Sequence, residues 1–302
     1  MATNRILLTG ATGQVGAELL RTLAPLGEVV APGRGEMDLA NADSVREQIR
    51  SVRPRWIVNP AAYTAVDKAE SEPELAYAIN AEAVRAIGEE AKKIGAGVIH
   101  FSTDYVFEGT GTAPYVEDDL TGAISVYGLS KLAGEKALAE SGAGHMIFRT
   151  SWVYGARGKN FLLTILKLAR EREKLRIVAD QYGAPTWSRD LAKMTARTID
   201  WAEASARGME LKDALPQWNG VYHAAGGGET TWFGFAAEAV RLAGEREQGV
   251  KFAELEGITT AEYPTPAKRP SNSRMSGEKL ARNFGWTMMD WKDSLREVIA
   301  EI

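Results

Sequence analysis

Short runs of β-branched and aliphatic residues at 5–9, 28–32, 56–59, 97–102 and 146–150 alternate with longer helical patterns through the first 150 residues. Repeated strand and helix leave a chain few options. Strands that are apolar throughout and separated by helices pair in parallel through right-handed crossovers, so an open, doubly wound α/β sheet of the Rossmann type is expected. Between the first two runs, Val15, Leu19, Leu20, Leu23 and Leu26 recur at helical spacing and Gly27 stands where a helix stops. Pro73, followed by Ala76, Ile79, Ala83, Ile87 and Ala91, predicts one long helix over 73–94. In such sheets ligands lie beyond the carboxyl ends of the strands, which directs attention to the loops after Thr9, Pro32, Asn59, Ser102 and Thr150.

The second half is less regular. Helices are expected at 159–172, 188–205, 231–245 and 291–301, with a proline-punctuated stretch at 263–270. The expected organisation is a dinucleotide-binding domain over 1–150. Residues 151–302 would form mainly a smaller, C-terminal substrate-binding lobe, with the chain crossing back to the first domain and the cleft between them as the binding site.

Composition removes several kinds of chemistry. The 302 residues include no cysteine, which excludes disulfides, thiolate metal sites and Cys nucleophiles. Three histidines, His100, His145 and His223, are too far apart for zinc-ligand spacing and read as strand residues. A net charge of −4 without a long basic run argues against nucleic acid and for a small-molecule partner. No apolar run reaches the ~18 residues of a membrane span, and the apolar stretch after Met1 is too brief for a signal peptide, so a cytoplasmic protein is expected.

The turn after the first strand reads Thr9-Gly10-Ala11-Thr12-Gly13-Gln14-Val15-Gly16. Gly10 permits the tight turn, Gly13 lets the backbone approach a pyrophosphate on the helix N-terminus, and Gly16 lets the helix pack close to the sheet. Where an acidic ribose reader would follow the second strand, the chain has Pro32-Gly33-Arg34. Arg34 favours a 2′-phosphate, hence NADPH with NADH possible, although it also reads as a solvated charge. Asp38 and Leu39 would flank the adenine, or Asp38 would simply cap a turn. Ala61, Ala62, Tyr63 and Thr64 follow the third strand, where small residues and polar groups would line the nicotinamide side.

Tyr127 and Lys131 are four residues apart, on one face of a helix. An ammonium near a phenol favours phenolate, so Lys131 is expected to lower the Tyr127 pKa from about 10 towards the range of a general acid or base. Thr103, at the end of the fourth strand, would hydrogen-bond the same carbonyl oxygen that Tyr127 protonates. The glycine turn, the threonine and the Tyr-x-x-x-Lys pair, in that order, form a specific constellation for hydride transfer.

These residues resemble the extended, nucleotide-sugar branch of the short-chain dehydrogenase/reductase superfamily. Within it, the segments Ala61–Glu70, Ser102–Gly109, Tyr127–Lys131, Arg149–Gly155 and Asp180–Thr186, with Arg269-Pro270 and Asn272-Ser273, are similar to the dTDP-4-dehydrorhamnose reductase family over nearly the whole chain. The resemblance implies reduction of the C4 ketone of dTDP-4-dehydro-L-rhamnose to dTDP-L-rhamnose. Tyr127 would be the proton donor, Lys131 the ribose holder and Thr103 the carbonyl-orienting group, with Asp104 and Trp152 on the sugar nucleotide. Trp152 also reads as a core aromatic. The resemblance further brings in dimers bridged by magnesium through acidic residues. Here Glu18 is present, but Arg189 stands beside the second acidic position, so no metal is expected and the chain should be a monomer or weak homodimer. Two rival readings keep the fold: a non-catalytic NADP-binding regulatory subunit, or an epimerase or dehydratase that returns its hydride.

Overall fold

The computed structural model describes residues 4–206 and 209–302. Residues 1–3, part of the stretch weighed as a signal peptide, lie outside the described residues. Six parallel strands form the central sheet: β1 (Arg5–Leu8), β2 (Glu28–Val30), β3 (Trp56–Asn59), β4 (Gly97–Thr103), β5 (His145–Thr150) and β6 (Gly220–His223), in the order β6-β5-β4-β3-β1-β2. Five strands match the expected runs to within two residues at either end. The sixth was not among those runs, although His223 within it reads as a strand residue: it comes from the second half of the chain and pairs with β5, Val221 opposite Ile147. Strand order reverses between β1 and β3, so the loops after these strands diverge and open a crevice at their carboxyl ends.

Both faces of the sheet are covered, and the two-residue period of a strand divides its side chains between them. Ile6, Leu8, Val58, Ile99, Phe101 and Phe148 turn to one side, against Leu19 and Leu23 of α1 (Gln14–Leu23) and Leu191 and Ile199 of the helix Ser188–Ser205. Leu7, Ile57, Val98 and Ile147 turn to the other. There they meet α2 (Ala42–Val52), α3 (Ala83–Ile94) and Leu138 of α4 (Val126–Ser141). Helix α2, also unforeseen, buries Val45, Ile49 and Val52 and is capped by Asn41, whose side chain accepts from the amides of Asp43 and Ser44.

The helix expected over 73–94 is not one regular helix. It runs as Pro73–Tyr77, then a wider π-type turn at Ala78–Glu82, then α3. Asn80, within that turn and almost fully buried, accepts from the Tyr63 amide and donates to Tyr63 O and Ser130 Oγ. One extra residue in the turn thus presents a polar side chain to the loop after β3.

Other elements build a second core. Helices Phe161–Glu171, Trp232–Arg246 and Trp291–Glu301 enclose an apolar cluster containing Tyr154, Leu166, Trp187, Phe235 and Leu295. A parallel pair, Lys174–Val178 with Glu254–Ile258, closes its other side.

Candidate active site

The glycine turn fits a dinucleotide. Gly10 has a φ of +59°, and a Cβ there would lie 2.9 Å from that of Ala61. A Cβ on Gly16 would come within 2.0 Å of Gly10 O, so the helix can sit this close to the turn only without a side chain. Helix α1 starts after Gly13 with no side-chain cap and no acidic residue in its first turn. Its first amides are therefore left to an anion. Thr12 and Gly13 are exposed at the turn, and Val15 packs partly into the core beneath it. Gln14 reaches into the second half of the chain, accepting from Asn160 Nδ2 at 3.0 Å.

Around the adenosine end the arrangement is looser. Arg34 is 81% exposed and lies 3.8 Å from Asp38. Asp38 also accepts from the Ala40 amide, the turn-capping role foreseen as its alternative, while Leu39 packs partly against the core. After β3, the Ala61 amide donates to Thr9 Oγ1, fixing Ala61 and Ala62 beside the glycine turn. Thr64 is exposed, and the Tyr63 hydroxyl donates to Glu72 at 2.7 Å.

Thr103, Asp104, Tyr127 and Lys131 come together where the end of β4 meets the start of α4, and all are buried. Ser125 caps α4 by accepting from the Gly128 amide, and Gly128 lets the helix press on Tyr105 O, where a Cβ would lie at 2.2 Å. The Thr103 hydroxyl donates to Asp104 Oδ1 at 3.0 Å. The Tyr127 ring stands edge-on to that of Tyr105 at 5.4 Å.

One expectation is corrected. Burial pushes the Tyr127 pKa up, to about 12, with Thr103 pulling the other way and Asp104 adding to the rise. Lys131 does not offset it, because its Nζ is turned to the strand, donating to Phe101 O at 2.6 Å and lying 3.2 Å from His100 Nε2. Helical spacing places both residues on one face, but burial sets the sign. Burial likewise lowers Lys131 to about 8, against the pull of Glu135, and raises Asp104 to about 6.

Trp152 follows β5 with a φ of +49°, a left-handed conformation costly for a bulky residue. It is half-buried, not a core aromatic: its ring stacks on Trp232 at 3.7 Å and lies over Gly183. Sequence reasoning passed over Trp232, whose Nε1 donates to Gln181. It also passed over Lys174 and Arg176, which with Arg269, Tyr105, Trp232 and Gln181 wall a cavity of about 730 Å³. Lys174 and Arg176, two apart in a strand, share a face, and that spacing was a readable signal. Arg269 donates to Asp67 at 2.8 Å, while its other terminal nitrogen is buried without a partner.

Among the described residues, no helix is long and apolar enough to cross a membrane. Arg189 meets Glu18 at 3.1 Å and also pairs with Glu301.

A parallel sheet with a glycine turn at its switch point, and a threonine, tyrosine and lysine at one neighbouring seam, define a dinucleotide-dependent oxidoreductase of the extended short-chain type. The family profile described as RmlD substrate binding domain matches residues 4–302. The dTDP-4-dehydrorhamnose reductase of Escherichia coli strain K12 is 48% identical, the match covering 98% of this chain and 97% of that one. Two solved structures of that name superpose with TM-scores of 0.88. One, from Clostridium acetobutylicum, is 34% identical and covers 98% of this chain and 99% of its own. The other, from Bacillus anthracis in complex with NADP, is 33% identical over 99% of each. The chain belongs to the dTDP-4-dehydrorhamnose reductase family.

Proposed function

We propose that this chain reduces the C4 ketone of dTDP-4-dehydro-L-rhamnose to dTDP-L-rhamnose with NADPH, NADH being the weaker alternative. The observation that carries the reading is the Thr103, Tyr127 and Lys131 seam, whose Tyr127 ring packs edge-on to Tyr105, a residue that also lines a cavity bearing cations and tryptophan. When bound, NADPH supplies the reducing equivalent to the ketone carbon. Gly10, Thr12, Gly13, Gln14, Val15 and Gly16 hold its pyrophosphate, Arg34, Asp38 and Leu39 its adenosine end, and Ala61, Ala62, Tyr63 and Thr64 the nicotinamide side.

Tyr127 delivers the proton. At neutral pH burial keeps its phenol fully protonated, the form a reductase needs before each turnover. Thr103 orients the carbonyl oxygen, and Lys131 holds the nicotinamide ribose. Asp104 and Trp152 contact the sugar nucleotide, and the strain at Trp152 supports a role beyond packing.

Residues 1–150 serve as the dinucleotide-binding domain. Residues 151–302 form mainly the substrate lobe, with Ser188–Ser205 and β6 returned to the first unit. The enzyme works in the cytoplasm as a monomer or weak homodimer without a tightly bound metal. The guanidinium of Arg189, lying beside Glu18 and Glu301, supports that reading.

The test is NADPH oxidation followed at 340 nm with the 4-keto sugar nucleotide, repeated with NADH. One NADPH consumed per ketone, with NADH slower, is the expected result. Turnover of substrate without net oxidation would instead identify an epimerase or dehydratase, and no turnover a regulatory subunit.

A further inference from the structure

Beneath the strand ends a line of buried polar side chains leads away from Lys131, and beyond Lys131 the reaction as described uses none of those on strands β3 and β4. Lys131 Nζ lies 3.2 Å from His100 Nε2, and His100 Nδ1 lies 3.0 Å from Asn59 Nδ2. Asn59 Oδ1 accepts the Thr9 hydroxyl at 2.6 Å, and Thr9 Oγ1 accepts the Ala61 amide at 3.3 Å. Sheet register produces this alignment. Asn59 and His100 are partners across β3 and β4, and Thr9 follows directly on the pair Leu8 and Val58 across β1 and β3. Thr9, Asn59, His100 and Lys131 are each 3% exposed or less.

We propose that His100 is a positioning residue for Lys131, holding its amine against β4 and tying it, through Asn59 and Thr9, to the turn that carries the dinucleotide. This rests on the reductase reading, which gives Lys131 its contact with the nicotinamide ribose.

Hydrogen-bond bookkeeping gives the line two states, and the observed placing of Asn59 Nδ2 on His100 Nδ1 and of Oδ1 on the Thr9 hydroxyl is that of an uncharged Lys131. A neutral imidazole has one donor and one acceptor nitrogen. When Lys131 is an ammonium, Nε2 must accept from it, so Nδ1 carries the proton and faces the oxygen end of the Asn59 amide. When Lys131 is an amine, Nε2–H donates to Nζ, and Nδ1 accepts from the Asn59 NH₂. Asn59 and the Thr9 hydroxyl reorient between the two arrangements, so the charge on Lys131 is felt at the glycine turn. The ring itself stays uncharged, because burial, Lys131 and, on β5, His145 all hold its pKa well below the ordinary value. The carboxylate of Glu135, one turn beyond Lys131 on α4 and itself held by the Arg149 guanidinium of β5 at 2.7 Å, acts on Lys131 in the opposite sense to burial. With Lys131 at about 8, the exchange between the two states falls within the pH range in which the enzyme can be assayed.

A histidine that only filled space would be replaceable by phenylalanine at little kinetic cost. A positioning histidine is not: phenylalanine strips Lys131 of an acceptor and leaves a buried cation less stable, so its pKa falls. For His100→Phe, kcat for NADPH oxidation should fall about tenfold and the alkaline limb of its pH profile should move down by about one unit. His100→Gln, whose amide reaches towards the place of Nε2, should restore kcat to within about threefold of the parent. A His100→Phe protein that melts normally yet keeps the parental kcat and pH profile overturns the proposal.

A second readout needs neither turnover nor a variant of His100. In the NADP⁺-bound chain labelled with ¹⁵N-histidine, the His100 tautomer should switch with a midpoint near pH 8, and in Lys131→Met it should not. A tautomer constant from pH 6 to 10, or a doubly protonated ring within that range, overturns the proposal. Because this measurement involves no substrate, it separates failure of the His100 assignment from failure of the reductase reading.

Discussion

The seam at Tyr127 and the turn at Arg34 lie along the same row of strand ends, yet they are built in opposite ways. Thr103, Asp104, Tyr127 and Lys131 are each less than a tenth exposed and are held by strand carbonyl, hydroxyl and imidazole partners. Arg34 projects into solvent, with a single carboxylate at 3.8 Å. Groups that move a proton must be in place before the substrate arrives, and burial locks their geometry at the cost of shifting every pKa in the cluster. A group that only distinguishes a phosphate from a hydroxyl needs no such preparation. It can remain hydrated until the anion binds.

If the difference is real, mutations at the two places should fail differently. The largest effect belongs to the seam. Tyr127→Phe removes one hydroxyl and leaves the edge-on packing with Tyr105, so the fold and NADPH affinity should survive while kcat falls by on the order of a hundredfold or more. Single-turnover kinetics together with an NADPH titration check both halves. Unchanged turnover would remove Tyr127 from the chemistry, whereas lost cofactor binding would make it a structural residue.

Next in size is a stability effect confined to the seam. Asp104 titrates at about 6 in the folded chain, because burial disfavours its carboxylate. An unfolded aspartate titrates near 3.9, so between these values the folded state binds more protons than the unfolded one. Stability tied to Asp104 is then fully present below about pH 4 and is lost as pH rises through about 6. Asp104→Asn should therefore stabilise the protein at pH 7 by on the order of 2 kcal/mol and flatten the slope between pH 4 and 6. Urea unfolding across that range measures it. A variant less stable than the parent at pH 7 would mean that the charged Asp104 is better satisfied than its burial implies.

What the chain disclosed in advance divides along a similar line. The first five strands, the glycine turn and the Tyr127 and Lys131 spacing are local patterns, written within about ten residues, and the structure contains each of them. Strand β6 was legible only at His223, because it begins at a glycine and pairs with a strand more than 70 residues earlier. The π-type turn at Asn80 answers to Tyr63 and Ser130, neither of them near in sequence. The direction of the Tyr127 shift was misread for the same reason. Helical spacing fixes which face Lys131 shares, but whether its ammonium turns to the phenol or to Phe101 O depends on β4, which the helix meets only in the folded molecule. Trp152 is a related case: the resemblance named it for the sugar nucleotide, but its stacking partner Trp232, 80 residues later, could not be read from the loop after β5.

The smallest effect tests the exposed side of the comparison. Arg34→Ala removes a side chain with one long ion-pair contact, so the melting temperature should not change measurably. NADPH binding should weaken by about tenfold, the loss of a charge-assisted contact to a phosphate, while NADH binding stays the same. Because the interaction forms at the surface, raising the salt concentration should erode the parent's preference for NADPH and leave the variant's affinities nearly flat. Paired titrations of NADPH and NADH at low and high salt, on parent and variant, supply the affinities. Equal losses for both cofactors would show that Arg34 supports the shape of the turn, through Asp38, and does not read the 2′-phosphate. A preference insensitive to salt would place the reader deeper in the protein, making the turn as preorganised as the seam.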